Sequence, residues 1–269
     1  MTRPSRAWLI AMAISIAAAP ACALRSTLRL PADAHTTERD LVLHGADVRL
    51  HLSAGANASR PLTIYFTGDG GWSGSDLEVY ERLVSWGYPV VGVSSPDYLT
   101  GLNEDDARIS VAALADDLVS IIRAGRSWRS LPAAEPVALV GVSRGADLMV
   151  AAAGESRIHT MLRGVVALGL TEEEEYVQAV APDSKTPELD LFSYLPRLGR
   201  LRLAVVQSTR DRYVPAEEAR RRFGPNTQRR RLLTVVARDH SFSDARERMF
   251  AALRSALRWV DRSGASPVP

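Results

Sequence analysis

The sequence predicts an α/β fold built on a mostly parallel central sheet with helices on both faces. Three observations lead there. Short apolar runs alternate with amphipathic helical stretches from residue 61 onward. Such runs mark strands covered on both faces, and parallel neighbours joined by right-handed crossovers provide that cover. A Gly-x-Ser-x-Gly segment, Gly141-Val142-Ser143-Arg144-Gly145, falls between one such run and a helix-prone stretch. An aspartate and a histidine follow it, each just past a later apolar run.

Taken in order, a polar, loose segment from Arg25 to Arg39 leads into alternating runs at Leu41–Leu43 and Val48–Leu52, read as an antiparallel hairpin. Gly55 to Arg60 is a turn. Strands are then expected over Leu62–Phe66, Val90–Val93, Val137–Val142, Gly164–Leu170, Leu203–Gln207 and Leu232–Val236. Helices are expected over Leu77–Trp86, Val111–Ile122, Ala146–Ala153, Ala216–Phe223 and Ala245–Val260. The stretch 171–200 breaks this alternation with Pro182, Pro187, Pro196 and a four-glutamate run, and is expected to form a small cap or insertion. Residues 263–269 read as a flexible tail.

A chain of 269 residues, 46% hydrophobic and 24% charged, fits one such domain over 61–262, preceded by a segment at 24–60 that carries the hairpin. Residues 1–23 read as a signal peptide: Arg3 and Arg6, an apolar run from Ala7 to Ala19 too short to span a bilayer, and small residues around Ala21-Cys22-Ala23. A periplasmic or secreted chain is expected. Cys22, the only cysteine, excludes a disulfide within the chain and offers an alternative lipid-attachment site, although Ala19 and Pro20 suit simple cleavage better.

The formal net charge of +2 argues against a nucleic-acid partner. Arg220-Arg221-Arg222 and Arg229-Arg230-Arg231 could meet an anionic membrane surface, but solvated helix and loop faces explain them more simply. Five scattered histidines and one cysteine imply no metal and no cofactor.

The chemistry centres on Ser143. The preceding run Val137–Val140 and the following helix provide the strand–turn–helix setting of a nucleophile elbow, where side chains at Gly141 or Gly145 would crowd the turn. Of His35, His44, His51, His159 and His240, only His240 sits past a late strand and before the final helix, where it can return over the serine as general base. Asp211, after the strand at 203–207, is the expected acid. Asp239 adjoins the histidine too closely in sequence, and Asp183 and Asp190 lie in the cap. The order serine, acid, histidine is that of the α/β-hydrolase fold. An oxyanion would be received by the N–H of Arg144 and by that of Asp69 or Gly70 in the loop Thr67-Gly68-Asp69-Gly70-Gly71-Trp72, which lacks the spacing of a dinucleotide or phosphate loop.

The pair of motifs Gly68-Asp69-Gly70-Gly71-Trp72 and Gly141-Val142-Ser143-Arg144-Gly145-Ala146-Asp147 resembles the bacterial virulence protein VirJ/AcvB family over roughly Pro61 to Val260. Departures are Ser94–Leu99, where the family is commonly aromatic-rich, and Val142 and Arg144 within the elbow. The resemblance implies Ser143, Asp211 and His240 as the triad of a periplasmic or membrane-associated α/β hydrolase that removes the amino acid from lysyl- or alanyl-phosphatidylglycerol. For some members it implies an accessory role in secretion. A protonated amine beside the scissile carbonyl would favour an acidic pocket. Asp69, with Trp72 beside it, is the candidate substrate contact, and Glu172-Glu173-Glu174-Glu175 could add charge, though a helix start accounts for that run more simply. The expected activity is thus that of a serine hydrolase on a lipid or small-molecule ester. Its rivals are another ester or a peptide bond, or a non-catalytic binding protein on the same scaffold.

Overall fold

The structure, a computed structural model, describes residues 36–57, 59–103, 108–178 and 189–262. The signal-peptide reading of 1–23, Cys22, His35, Asp183 and the tail 263–269 lie outside the described residues.

An eight-stranded sheet forms from β1 (Thr36–Leu43), β2 (Ala46–Ser53), β3 (Thr63–Phe66), β4 (Val90–Val93), β5 (Val137–Val142), β6 (Leu162–Leu168), β7 (Arg202–Ser208) and β8 (Arg230–Val235). Its spatial order is β1-β2-β4-β3-β5-β6-β7-β8. The β1–β2 and β2–β4 pairs are antiparallel and the other neighbours are parallel. Among the described residues, seven α-helices accompany it: α1 (Gly74–Ser85), α2 (Ser95–Asn103), α3 (Val111–Arg129), α4 (Arg144–Ala153), the short α5 (Leu191–Tyr194), α6 (Ala216–Phe223) and α7 (Arg246–Asp261).

Alternation along the strands splits the core into two layers. Ile64, Leu139, Val165 and Val205 face α2, α3 and α4, while Tyr65, Val140, Val166 and Val206 face α1 and α7. All eight side chains are fully buried, which explains why these strands read as continuous apolar runs. The parallel strands β3, β5, β6 and β7 end at one rim, where their following loops converge.

Two expectations change. Residues 36–39, read as loose, belong to β1, whose first five residues are exposed and owe their conformation to pairing with β2. Ser95–Asn103, assigned no element from sequence, is α2, with Pro96 in its first turn. The stretch after β6 does form a small insertion: a short strand pair of Glu173–Glu174 with Leu189–Asp190, a strand Val177–Gln178 paired with Ile109–Ser110 ahead of α3, α5 and a 3-10 turn over Leu195–Leu198. No helix among the described residues is long and apolar enough to cross a membrane.

Candidate active site

Ser143 sits between the end of β5 and the start of α4 with φ 49° and ψ −124°, a conformation that residues with a side chain rarely adopt unless the surroundings enforce it. Two contacts enforce it. A Cβ at Gly141 would overlap the Gly145 carbonyl, and one at Gly145 would overlap the backbone of Phe66 and Thr67, so the turn closes only around glycines. The Ser143 N–H is held by the Leu168 carbonyl at 2.8 Å.

His240 comes from the loop between β8 and α7. Its Nε2 lies 2.9 Å from Ser143 Oγ, and its Nδ1 lies 2.7 Å from Asp211 Oδ2. Asp211 is buried. Its Oδ1 accepts the Tyr213 N–H at 2.9 Å, and its Oδ2 also accepts from Gln207 Nε2 at 3.0 Å, so the carboxylate is aimed and its lone pairs are satisfied. The neutral imidazole that carries its proton on Nδ1 presents a bare Nε2 to the serine, as a general base requires. Asp239 instead bonds Ser243, and Asp190 caps α5 and pairs with Arg222. Of the remaining histidines described, His44 bonds Asp117 and the Tyr98 carbonyl, His51 is buried against Trp72, and His159 bonds the Ala153 carbonyl.

The glycine loop after β3 passes directly over the serine. Gly68 abuts Ser143 Cβ, and its N–H is anchored at 2.6 Å on the buried carboxylate of Asp76. Tyr65 Oη donates to the Asp76 carbonyl at 2.9 Å, and Ser95 Oγ donates to the Thr67 carbonyl at 2.5 Å, so the loop is held from both layers. Burial lifts the Asp76 carboxyl to about 6, against the pull of the Gly68 N–H and the Tyr65 hydroxyl. Among the described residues, no group accepts the N–H of Asp69, Gly70 or Arg144. The Arg144 N–H is the first amide of α4, which helix geometry leaves unbonded.

Ser143 lies where two cavities meet. One, of about 300 Å³, is walled by the glycine loop, Asp76, His240, Phe242 and Arg246. The other, of about 480 Å³, is walled by Arg144, Asp147, Thr171 and the four glutamates. Tyr213 borders both; it is exposed and stands edge-on to His240 at 4.8 Å. Among the described residues, no group of three or more histidine, cysteine, aspartate or glutamate side chains is placed to hold a metal ion.

The profile of the bacterial virulence protein family VirJ matches residues 61–207. The chain belongs to the VirJ family. The matched region includes the Gly68–Trp72 loop and Ser143 and ends before Asp211 and His240. No curated protein matches the chain. Among solved structures, the VirJ-family chain is similar to Est1E from Butyrivibrio proteoclasticus, with TM-score 0.60 at 12% identity, covering 83% of this chain and 99% of that one. It is similar to a Pyrococcus furiosus esterase, with TM-score 0.58 at 15% identity over 85% and 93% of the two chains. The esterase domain of a Rhodothermus marinus protein gives TM-score 0.57 at 16% identity over 84% and 99%. These likenesses show that the VirJ-family chain has the α/β-hydrolase fold.

Three expectations about this VirJ-family site are corrected. Asp69 does not offer a free carboxylate to a substrate amine, because the Arg144 guanidinium forms an ion pair with it. Trp72 lines neither cavity: it is buried among Tyr65, Tyr80 and His51, where its indole fills the α1 layer. The glutamate run does not start a helix. Glu173–Glu174 form a short strand, and Glu174 is buried, with its carboxylate 3.3 Å from Arg144 and on the Tyr176 N–H. Burial raises the carboxyl of Asp147 well above its ordinary range, and the charge of Glu174 raises it further. Sequence reasoning passed over Asp76, Gln207 and Tyr213. Tyr213 had a local signal in its place two residues after the acid, whereas Asp76 and Gln207 act through contacts that only the folded chain makes.

Proposed function

We propose that this chain is a serine hydrolase of carboxylic esters and that its substrate is the aminoacyl ester of lysyl- or alanyl-phosphatidylglycerol. The observation that carries the reading is the hydrogen-bonded line Ser143–His240–Asp211, set where an acidic cleft and a second cavity meet. Ser143 Oγ attacks the ester carbonyl while its proton passes to His240 Nε2, and Asp211 holds the imidazolium through Nδ1. The N–H groups of Arg144 and of Asp69 or Gly70 receive the oxyanion. Collapse expels the alcohol, which takes the proton from Nε2. Water, deprotonated by the same nitrogen, then releases the amino acid and restores the serine.

The cavity walls support one orientation of the two substrate ends. His240 borders only the cavity that holds Asp76 and Arg246, so the departing alcohol and its phosphate belong there. The acyl group then extends toward Arg144 and the glutamates, where Asp69, Glu174 and Glu175 share that one guanidinium and leave negative charge to attract an ammonium group. A leader over 1–23 would bring the protein to such a lipid from outside the cytoplasm.

Labelling with a fluorophosphonate tests the chemistry: wild type reacts and Ser143→Ala does not. An unreactive wild type would favour a binding protein. Hydrolysis of lysyl- and alanyl-phosphatidylglycerol compared with neutral esters tests the substrate, and faster turnover of the neutral esters would remove the aminoacyl assignment while leaving the esterase.

A further inference from the structure

Away from the serine, α1 and α7 enclose an open groove of about 460 Å³ on the opposite layer from α4. Five guanidinium groups line it, from Arg82, Arg231, Arg254, Arg258 and Arg262, and they face a single carboxylate, Glu247. That carboxylate is already held by Arg82 at 2.7 Å. Among the described residues, Arg231, Arg254 and Arg258 have no acidic partner.

Three of these guanidinium groups lie over aromatic rings: Arg82 over Phe250 at 4.8 Å, Arg231 over Trp259 at 5.1 Å and Arg254 over Trp86 at 5.6 Å. A guanidinium attracted to a ring face is held in place without using up its N–H groups, which can still receive phosphate oxygens in pairs. Along α7 and its C-cap, positions 254, 258 and 262 recur every fourth residue, so the charges stand above one another and repel. The dipole at the carboxyl end of α7 accounts for Arg258 and Arg262, but not for Arg254 in mid-helix, nor for Arg82 and Arg231, which come from α1 and β8. Most arginines of the clusters 220–222 and 229–231 are engaged away from the groove. Arg220 bonds Thr234, Arg221 pairs with Glu218, Arg222 pairs with Glu172 and Asp190, and Arg230 donates to the Leu195 carbonyl. Only Arg231 joins the groove.

We infer that this groove binds the phosphate headgroups of an anionic phospholipid surface and so docks the protein on a membrane. The row from Arg254 to Arg262 spans about 12 Å, enough for more than one headgroup, and its open form suits a surface better than one enclosed small molecule. The half-buried indole of Trp86 at its edge is of the kind that settles at the headgroup level. Orientation agrees as well. α7 begins at Arg246 in the wall of the Ser143 cavity and runs along the groove, so one helix holds the site close to the docked face. The choice of a membrane over a soluble phosphorylated ligand rests in part on the lipid-ester reading above.

The test is flotation of the full chain with phosphatidylcholine vesicles, with and without a third of the lipid as phosphatidylglycerol, using the Ser143→Ala background to prevent turnover. The expected result is partition onto the anionic vesicles alone, weakened by salt and reduced about tenfold or more by Arg254→Glu with Arg258→Glu. Arg254→Gln with Arg258→Gln gives a smaller reduction in the same direction, and circular dichroism with thermal unfolding reports folding without recourse to catalysis. Equal partition of wild type and either double variant, or no partition of wild type, overturns the inference. Thermal stabilisation of the wild type by inorganic phosphate without partition would assign the groove to a soluble ligand and likewise overturn docking. None of these outcomes depends on whether Ser143 hydrolyses an ester.

Discussion

Arg144 and Asp69 form an ion pair across the mouth of the site, and each also carries a backbone N–H beside Ser143 that no described group accepts. The pair thereby couples two segments that are 75 residues apart in sequence, the start of α4 and the glycine loop after β3. Side chains that span the space between two amides fix the separation of those amides.

Loosening this link is expected to cost rate more than binding. Asp69→Asn and Arg144→Met should each lower kcat on a soluble ester about tenfold, with KM nearly constant, because misplaced donors are felt in the transition state. A double variant that falls no further than either single one would show that the two act as a unit. Additive losses in the steady-state cycle would separate them.

Asp211→Asn keeps the shape of the acid but cannot hold the imidazole in the tautomer that leaves Nε2 bare. A loss of about 10³-fold or more in kcat is expected, with fluorophosphonate labelling slowed in step. Labelling at the wild-type rate would assign Asp211 a structural task only.

Gly169 lies beneath the imidazole with φ +64°, and a Cβ there would come within 2.8 Å of His240 Cε1. Gly169→Ala should therefore displace the ring and strain the backbone by about 1 kcal/mol. Labelling should fall at least about tenfold, while the thermal midpoint drops only about 2–4 °C. Full activity with the lower midpoint would show that the ring has room to yield.

Asp76 gives a pH signature. Burial raises its carboxyl from the ordinary 3.8 to about 6, so between those values the folded protein retains a proton that the unfolded chain has released. Its contribution to stability is therefore greatest below pH 3.8, declines as pH rises through 6 and is lost above that. Asp76→Asn keeps a carbonyl for the Gly68 N–H but removes the titration. Urea unfolding should show the variant gaining on wild type by about 2–3 kcal/mol between pH 4 and 7. A stability difference that is flat with pH would contradict this account.

Much of the fold was legible because its signals are local. Val90–Val93, Val137–Val142 and Ala216–Phe223 occupy the bounds read from sequence, since apolar period and turn residues specify them without reference to distant neighbours. The elements that escaped had weak local signals. The first residues of β1 are polar and exposed on both sides, so no alternation betrays them. In α2, Pro96, Thr100 and Gly101 weaken the local helical signal. Among the site candidates, Trp72 was read as a contact because it adjoins the glycine loop in sequence, yet its large apolar ring is better buried than exposed at a polar cavity.

The sequence alone determined the α/β-hydrolase architecture and singled out Ser143, Asp211 and His240, because strand, elbow and turn chemistry are written in neighbouring residues. Only the tertiary structure decided which charges meet: Asp69 and Glu174 with Arg144, and five arginines from three elements around one groove. Charge pairing and burial depend on distance through space, and folding brings together groups whose separation along the chain carries no trace of it.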